Sequence, residues 1–471
     1  MFKKVISHSL IYGLGPFIPK VINLLMLPVF TTYLTPVDYG IQTVLNSTLG
    51  LISVFAFLGL QLPIMNSFYH HPYHYKKRWS QFYGFLNLWM IVYACILSVL
   101  IYFVLPDEVN DKQFSIIILS VLPIVFLGPS ATIGQCYFQY TQQPKQVVAR
   151  TIIASFLTIG LNYVTIVILD LHYMGWIISN CISTVFLNIS YWYPLRHKFD
   201  LKPIYKFKRY VLRKGLSVSL PMIPHYYSTF LLGSIDGLIL KFFAFTTFQI
   251  GYYGFAGSFG ALMALMVGAL NTAVSPLLYD LIKEKRYDQF KKMIWIIQSS
   301  LIVIVVCVCV WMKEIFGLMV NNVDLRGAYF LAAVFTLAHL YRPMYFGVTA
   351  ILFYREKTRN LWKITLGAGI FCLLSNIILL PYFGFKIPAY VLFISYLIMG
   401  YGTFLLKDYK EVKIVDLKPA LFLLFTSMSI GVVYVLIDLS YIYKIFFTVL
   451  VVLIVGYLYF FKRSLILIGD N

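Results

Sequence analysis

Four basic residues stand inside long apolar segments of the chain, where a charge is costly. They are Lys20, His225, His339 and Arg342. A charge near the centre of a bilayer costs about 2.5–3.5 kcal/mol on insertion scales, so such residues usually face a water-filled cavity or a partner. Arginine offers bidentate contacts to phosphate, and lysine offers a point charge. These residues therefore predict a cationic cavity suited to an anionic head group such as a phosphate or pyrophosphate.

Proline adjoins three of these four residues. The pairs are Pro19 with Lys20, Pro224 with His225, and Arg342 with Pro343. Proline frees a backbone carbonyl and bends a helix, which suits a helix that lines a cavity. A second interpretation stays open, in which the lysine snorkels to the membrane surface and the histidines are hydrogen-bonded core residues.

Three further residues are candidates for ion coupling or gating. Asp236 and Lys241 lie five positions apart near one end of an apolar segment, and Asp38 follows the first apolar segment. Asp236 and Lys241 are either an interfacial ion pair, or Asp236 is a carboxylate that couples transport to H⁺ or Na⁺. We predict no cofactor apart from such a coupling ion.

The composition indicates the solvent in which these residues work. The chain has 471 residues, of which 60% are hydrophobic and 12% are charged. A soluble domain carries roughly 25% charged residues, and it cannot hide this much apolar surface in a core. Intrinsic disorder is excluded for the same reason. The chain is predicted to be an all-α polytopic membrane protein.

About fourteen segments are long and apolar enough to span a bilayer, which takes about 20 residues. They lie near 9–31, 42–66, 82–105, 114–136, 151–169, 174–194, 216–240, 250–275, 293–312, 328–352, 364–383, 388–406, 419–437 and 445–461. We predict two six-helix lobes, related by a pseudo-twofold axis along the membrane normal, and two additional C-terminal helices.

The loop charges predict the orientation. With both termini in the cytoplasm, 30 of the 38 Lys and Arg residues fall on the cytoplasmic side. The positive-inside rule selects this arrangement. The net charge of +20 is thus a topology signal, and we expect no nucleic-acid partner. We predict a multi-pass protein of the bacterial inner membrane.

A paired Pro-x-Ile-Pro-basic element suggests an internal repeat. It occurs at 16–20 and again at 221–225, and further matches gather at an offset of 214, including Pro129 with Pro343 and Asn162 with Asn376. Because each half has an even number of spans, the two halves insert in the same orientation. The predicted units are an N-terminal lobe (1–194), a basic cytoplasmic linker (195–215), a C-terminal lobe (216–406) and two additional helices (407–471).

The sequence does not indicate an enzyme. It contains no Walker A, HExxH or GxSxG pattern, and its outer loops are too short to hold a catalytic domain. The six cysteines lie in apolar segments without the spacing of a redox or zinc site, and we predict no metal site.

Two segments carry a family resemblance. Residues 27–40 read LPVFTTYLTPVDYG, and residues 219–224 (SLPMIP) are followed by Asp236 and by 250–253 (IGYY). Residues 134–145 are similar too. These segments resemble the polysaccharide-transporter family, which includes the O-antigen and capsular repeat-unit flippases. Its superfamily also holds the lipid II flippase and the multidrug and toxin extruders.

The resemblance implies a flippase for undecaprenyl-pyrophosphate-linked oligosaccharides that works by alternating access in O-antigen, lipopolysaccharide or capsule synthesis. Lys20 and Arg342 would supply the cationic cavity of such proteins, whereas His225 is only partly charged near neutral pH. Implied partners are the lipid-linked substrate, membrane lipids, and the polymerase and glycosyltransferases of the pathway. Two alternatives stay open: a cation-coupled small-molecule or drug antiporter of the same superfamily, and a membrane enzyme of envelope glycan assembly.

Overall fold

A computed structural model describes residues 17–70 and 73–453 of the chain. The beginning of the first predicted span and the end of the last one lie outside these residues. Seven side chains within the helices are also outside the description: Phe17, Ile18, Met222, Pro224, His225, Tyr226 and Thr229.

The described residues form helices and contain no strand. We label α1 to α14 the helices, continuous or broken, that correspond to the fourteen predicted spans. The first six are α1 (Phe17–Leu25 and Leu27–Tyr33), α2 (Pro36–Ala56 and Gln61–His70), α3 (Tyr75–Val104), α4 (Gln113–Val125 and Gly128–Tyr140), α5 (Pro144–Asn162, continued by a π-helix at Tyr163–Ile168) and α6 (Tyr173–His197). The next six are α7 (Arg209–Ser219, Ile223–Gly233 and Asp236–Phe242), α8 (Thr247–Lys283), α9 (Tyr287–Val310), α10 (Tyr329–Leu337 and Arg342–Tyr354), α11 (Leu361–Phe383) and α12 (Ile387–Gly402). The last two are α13 (Pro419–Leu436) and α14 (Tyr441–Leu453).

Length and apolarity agree with a membrane location for these helices. Within the described residues, eight helices meet the criteria for a span, and nine do if the bent helix α4 is included as one span. The remaining helices are shorter or are divided by breaks, except the 25-residue α6, which does not reach the hydropathy criterion. The predicted all-α, polytopic class is confirmed, and the helix pattern of the described residues agrees with about fourteen membrane helices.

Helix α2 begins at Pro36, six residues before the predicted start at position 42. Thr35 and Asp38 form a capping box, in which each side chain binds the backbone N–H of the other residue. Proline at the first helical position adds a preformed backbone angle. The polar cap lengthens this helix beyond its apolar run.

Helix α7 also begins early, at Arg209, inside the basic segment predicted as a linker. The buried side chain of Leu212 packs in a core cluster of the N-terminal half, and Gly215 lies against Phe82 of α3. The preceding chain is tied to α3 as well, because the N–H of Ile204 donates to the carbonyl of Ser80 at 2.8 Å. The linker is thus docked on the N-terminal half.

Proline explains several helix breaks. Helix α1 is interrupted at Met26, just before Pro28, and runs unbroken past Pro19 and Lys20, so the bend expected beside Lys20 lies farther along. Helix α4 bends by 41° ahead of Pro129, and α10 contains a 3₁₀ turn ahead of Pro343. A proline cannot donate to the preceding turn, so helices break or bend there. The like positions of Pro129 and Pro343 support the predicted repeat.

The buried apolar side chains form one large cluster in the C-terminal half and smaller clusters in the N-terminal half. Helix α13 joins the large cluster through Phe422 and Val433. The main packing between the halves is between α2 and α8. We call the N-terminal ends of α2 and α8 their outer ends, because the loop charges predict that they face away from the cytoplasm.

Candidate functional site

Lys20 lies on the face of α1 that is turned toward the C-terminal half. Its side chain is exposed, and it shares a helical face with Leu24 and Leu27, four and seven positions later. Both leucines pack against the core of the C-terminal half. Leu25, which lies elsewhere on the helix circumference, is 66% exposed. The exposed side chain of Lys20 is thus on the same side of α1 as these two leucines.

Arg342 begins the second part of α10, directly after the 3₁₀ turn Ala338–Tyr341. The residue is half-buried, and its guanidinium lies 5.9 Å from the ring centroid of Tyr341. Its Nε is buried without a hydrogen-bond partner among the described residues. An unpaired donor of this kind leaves hydrogen-bonding capacity for an anion.

The two histidines differ from Arg342 in their settings. His339 is 5% exposed in the core of the C-terminal half, with its ring 5.3 Å from that of Tyr396. Its Nδ1 is buried without a hydrogen-bond partner among the described residues. His225 lies in the second part of α7, and its side chain is outside the described residues.

The four basic candidates do not form one bonded cluster. In the described part of the chain, no hydrogen bond or ring contact joins Lys20 to Arg342. Helix α1 packs against α5 and α8, whereas the second part of α10 packs against α8, α9 and α12. Helix α8 is therefore the common neighbour of both cationic positions.

Asp236 is buried, with 8% of its surface exposed. The hydroxyl of Tyr253 in α8 and the side-chain amide of Asn376 in α11 both donate hydrogen bonds to its carboxylate, the second at 3.0 Å. Among the described ion pairs Asp236 and Lys241 do not meet, so the interfacial pair considered from the sequence is not formed. A carboxylate held by neutral donors across three helices suits the binding of a proton or cation.

Asp38 has a structural setting. Its carboxylate accepts hydrogen bonds from the N–H and hydroxyl of Thr35, each at 2.7 Å, and from the N–H of Tyr173 at 3.1 Å. These bonds connect the start of α2 to the start of α6. Because every described partner of Asp38 is in the N-terminal half, the side chain holds two helices of one half together.

The crossing of α2 and α8 is tight at its outer end. A Cβ atom on Gly251 would overlap the carbonyl oxygen of Pro36, and one on Gly254 would overlap the hydroxyl of Thr43. Closer to the opposite end of α8, Gly268 has open space around it. Glycine thus allows the two backbones to approach closely at the outer end.

Tyr39 spans the same outer contact. Its ring centroid lies 4.9 Å from that of Trp176 in the N-terminal half and 4.8 Å from that of Phe255 in the C-terminal half. Both pairs have the edge-to-face geometry that aromatic rings favour. The outer contact between the halves is therefore closed by both backbone and aromatic packing.

Three polar residues of interest were missed in the sequence. Asn376 appeared only as a repeat match and Tyr253 only within the family segment 250–253, yet both donate hydrogen bonds to Asp236. Lys444 lies in the apolar α14 and is fully buried, with its ammonium 2.6 Å from the carboxylate of Glu314. A lysine within an apolar run was the available signal, as it was for Lys20. Within the described residues, no group of three or more His, Cys, Asp or Glu is arranged to hold a metal ion.

Comparisons with known proteins agree with this architecture. The chain is 24% identical over 318 residues to "Lsg locus putative protein 1" of Haemophilus influenzae, which covers 65% of this chain and 74% of that protein. It is 25% identical over 400 residues to an "Uncharacterized membrane protein" of the same organism, covering 80% and 93%.

Two solved structures show the same fold at low identity. The first is the lipid II flippase MurJ in an inward closed conformation, with a TM-score of 0.72, 15% identity, and coverage of 97% of this chain and 99% of that chain. The second is an inward-facing multidrug resistance MATE family transporter of the MOP superfamily, with a TM-score of 0.55, 13% identity, and coverage of 91% and 94%.

The model of the family described as "Polysaccharide biosynthesis protein" matches residues 3–281. This match covers more than half of the chain. The chain belongs to this family.

Proposed function

As a member of the polysaccharide biosynthesis protein family, this chain is, we propose, a flippase. It moves undecaprenyl-pyrophosphate-linked oligosaccharide repeat units across the bacterial inner membrane by alternating access, with both termini in the cytoplasm. The products serve O-antigen, lipopolysaccharide, capsule or related polysaccharide synthesis. The family assignment and the fold shared with a protein named as a lipid II flippase support this proposal.

The observation that carries the proposal is that Lys20 is exposed on the face of α1 that also bears Leu24 and Leu27. Insertion of a lysine into the membrane costs free energy, so such a lysine usually faces water or a counter-charge. A pyrophosphate loses its hydration when it crosses between the halves, and a cation at this point compensates for that loss. The exposed ammonium of Lys20 suits this role better than the fully buried ammonium of Lys444.

Arg342 provides the second cationic contact of the proposed site. Its free Nε offers a directional donor, and a guanidinium can bind two oxygens of one phosphate. Since α8 packs against the helices of both Lys20 and Arg342, movement of α8 relative to α1 would change how both groups meet the ligand. His225 is a further candidate in α7. The core position of His339 gives it a packing role.

The loading state of the cycle follows from the outer contact. The α2–α8 crossing is closed at Gly251 and Gly254, whereas Gly268, farther along α8, has open space around it. In the predicted orientation, a substrate would enter from the cytoplasmic side in this state. Opening of the outer contact would then release the oligosaccharide on the other side, where a glycan polymerase of the same pathway would use it.

We infer that Asp236 is the coupling residue. Its burial and its two neutral donors let it change between a charged and a neutral or cation-bound form inside α7, α8 and α11. Binding of H⁺ or Na⁺ at this point would change how these helices pack and so bias the cycle.

The experiment is an export assay in a strain lacking the gene. Without the protein, the lipid-linked repeat unit should accumulate on the cytoplasmic face. Lys20→Ala and Arg342→Ala should abolish rescue, while Lys20→Arg and Arg342→Lys should retain part of it. Lys386→Ala, which removes an exposed loop cation, is the matched control. Normal glycan export by both alanine variants would overturn the cationic-site proposal.

A cation-coupled small-molecule antiporter is the second candidate, and buried Asp236 is the observation that favours it. In that case, loss of the gene would leave glycan export intact and change sensitivity to toxic solutes. Glycan polymerisation by the purified protein would instead indicate an enzyme of envelope assembly.

A further inference from the structure

In the C-terminal half, the loop that follows the short helix Met312–Met319 binds the outer end of α1. The backbone N–H of Asn321 donates to the hydroxyl of Thr31 at 3.0 Å. Its side-chain amide donates to the carbonyl of Pro28 and to the hydroxyl of Thr32, each at 3.0 Å. One asparagine thus makes three hydrogen bonds to one turn of a helix that lies almost 300 residues earlier in the chain.

Asn322 adds a contact at the end of the same helix. Its side-chain amide donates to the carbonyl of Leu34 at 3.2 Å. Its side-chain oxygen accepts from the N–H groups of Asp324 and Leu325, and so caps the short helix Val323–Arg326. The last carbonyls of a helix lack partners within it. Asn322 therefore satisfies the ends of two helices with one side chain.

The outer end of α1 is fixed in the N-terminal half. Phe30 and Leu34 are buried in one cluster with Ile166 of α5 and Trp176 of α6. The asparagines follow the helix Met312–Met319, whose Met312 and Phe316 belong to the large cluster of the C-terminal half. Their hydrogen bonds consequently connect the two halves on the outer side.

We propose that Asn321 and Asn322 form a reversible latch that keeps the outer side closed and must open in each transport cycle. This inference rests on the proposed transport function. Asn321 is exposed, so water can take over its hydrogen bonds when the halves separate. Neutral amides make such a latch weak enough to open, since the net value of each bond is modest.

Accessibility from the outside tests the latch without reference to any substrate. Asn46 of α2 is exposed and lies one turn from Thr43 and Gly50, which face the C-terminal half. A cysteine at this position, Asn46→Cys, can be labelled in whole cells by a membrane-impermeant maleimide. Labelling is measured relative to the same protein without that substitution, because native cysteines are present.

Asn321→Ala, alone and with Asn322→Ala, should raise the rate of this labelling roughly tenfold, because two to three cross-half hydrogen bonds are lost. Asn110→Ala, on an outer loop of the N-terminal half, is the matched control and should leave the rate unchanged. Equal labelling in the latch variants and the control, at equal expression and melting temperature, would overturn the proposal.

A disulfide provides the opposite test. The backbone nitrogen of Asn321 is 3.0 Å from the hydroxyl of Thr31, which brings the two backbones close enough for a disulfide, so Thr31→Cys with Asn321→Cys should cross-link on oxidation. Cross-linked protein should lose glycan export and outside labelling, and a reductant should restore both, while each single variant stays active. Continued export by fully cross-linked protein, or failure of the pair to cross-link, would contradict the latch. If labelling follows the latch but no variant affects glycan export, the proposed substrate fails while the latch stands.

Discussion

The carboxylate of Asp236 in α7 accepts a hydrogen bond of 3.0 Å from the side-chain amide of Asn376 in α11, 140 residues later in the chain. Both residues are buried, and Tyr253 of α8 supplies a second donor. The three residues tie three helices of the C-terminal half around one ionisable group. Acidic residues inside apolar membrane segments are rare and usually have a function.

Replacement of this acid should uncouple transport. Asp236→Asn keeps the shape of the side chain and removes its charge. Since a hydrogen bond to a charged group is worth about 1.5–3 kcal/mol, we expect export to fall roughly tenfold or more and to lose its response to a H⁺ or Na⁺ gradient. Export in membrane vesicles with imposed gradients measures this.

Lys241→Met is the control for that variant, because Lys241 lies on the same helix segment and makes no described ion pair with Asp236. It should export normally. Equal gradient dependence in the wild type and Asp236→Asn would exclude Asp236 as the coupling residue.

The glycine contact between α2 and α8 should be specific to the outer-closed state. A methyl group on Gly251 overlaps the backbone of Pro36, which cannot move away as a side chain can. Gly251→Ala should therefore favour opening of the outer side and increase outside labelling of Asn46→Cys. Gly268→Ala on the same helix has open space and should behave like the wild type. Identical labelling of the two alanine variants would show that the crossing does not control access.

The buried pair of Lys444 and Glu314 should stabilise the docking of α14. The ammonium of Lys444 also donates a hydrogen bond to the carbonyl of Ile437 at 2.6 Å. Removal of one member of a buried pair leaves an uncompensated charge and costs about 3–5 kcal/mol. Lys444→Met should lower the melting temperature of the purified protein, and Lys444→Met with Glu314→Gln should recover part of the loss. A double variant less stable than Lys444→Met would contradict this account.

The exposed ion pair of Lys313 and Asp438 should make the stability of the fold depend on pH. The hydrogen bond from Lys313, followed by that from Tyr329, lowers the pKa of Asp438 below the ordinary value of 3.8. A lowered pKa in the folded state stabilises the fold above the ordinary value, and this contribution is lost as the pH falls through the lower, folded value. The melting temperatures of the wild type and Asp438→Asn should therefore differ at neutral pH and converge below about pH 4. A difference that stays constant down to pH 3 would argue against this role.

Much of the fold was predictable because each membrane helix can be recognised from its own stretch of sequence. An apolar run of about 20 residues is sufficient signal, since the bilayer leaves a helix as the way to satisfy its backbone groups. Polar ends were less predictable: Thr35 and Asp38 start α2 earlier than its apolar run, and Leu212 draws α7 into the basic linker. Both extensions depend on side-chain contacts that hydropathy does not record.

The sequence by itself determined that cations and an acid occur inside apolar helices. This pattern indicated functional roles for Lys20, Arg342 and Asp236. Only the tertiary structure decided the surroundings of each charged group. Lys20 and Lys444 both lie in apolar segments, yet Lys20 is exposed on α1 and Lys444 is fully buried against Glu314. The physical reason is that the solvation of a side chain in a membrane depends on which helices surround it. Those neighbours, such as Asn376 for Asp236 or Asn321 for the end of α1, come from distant parts of the chain.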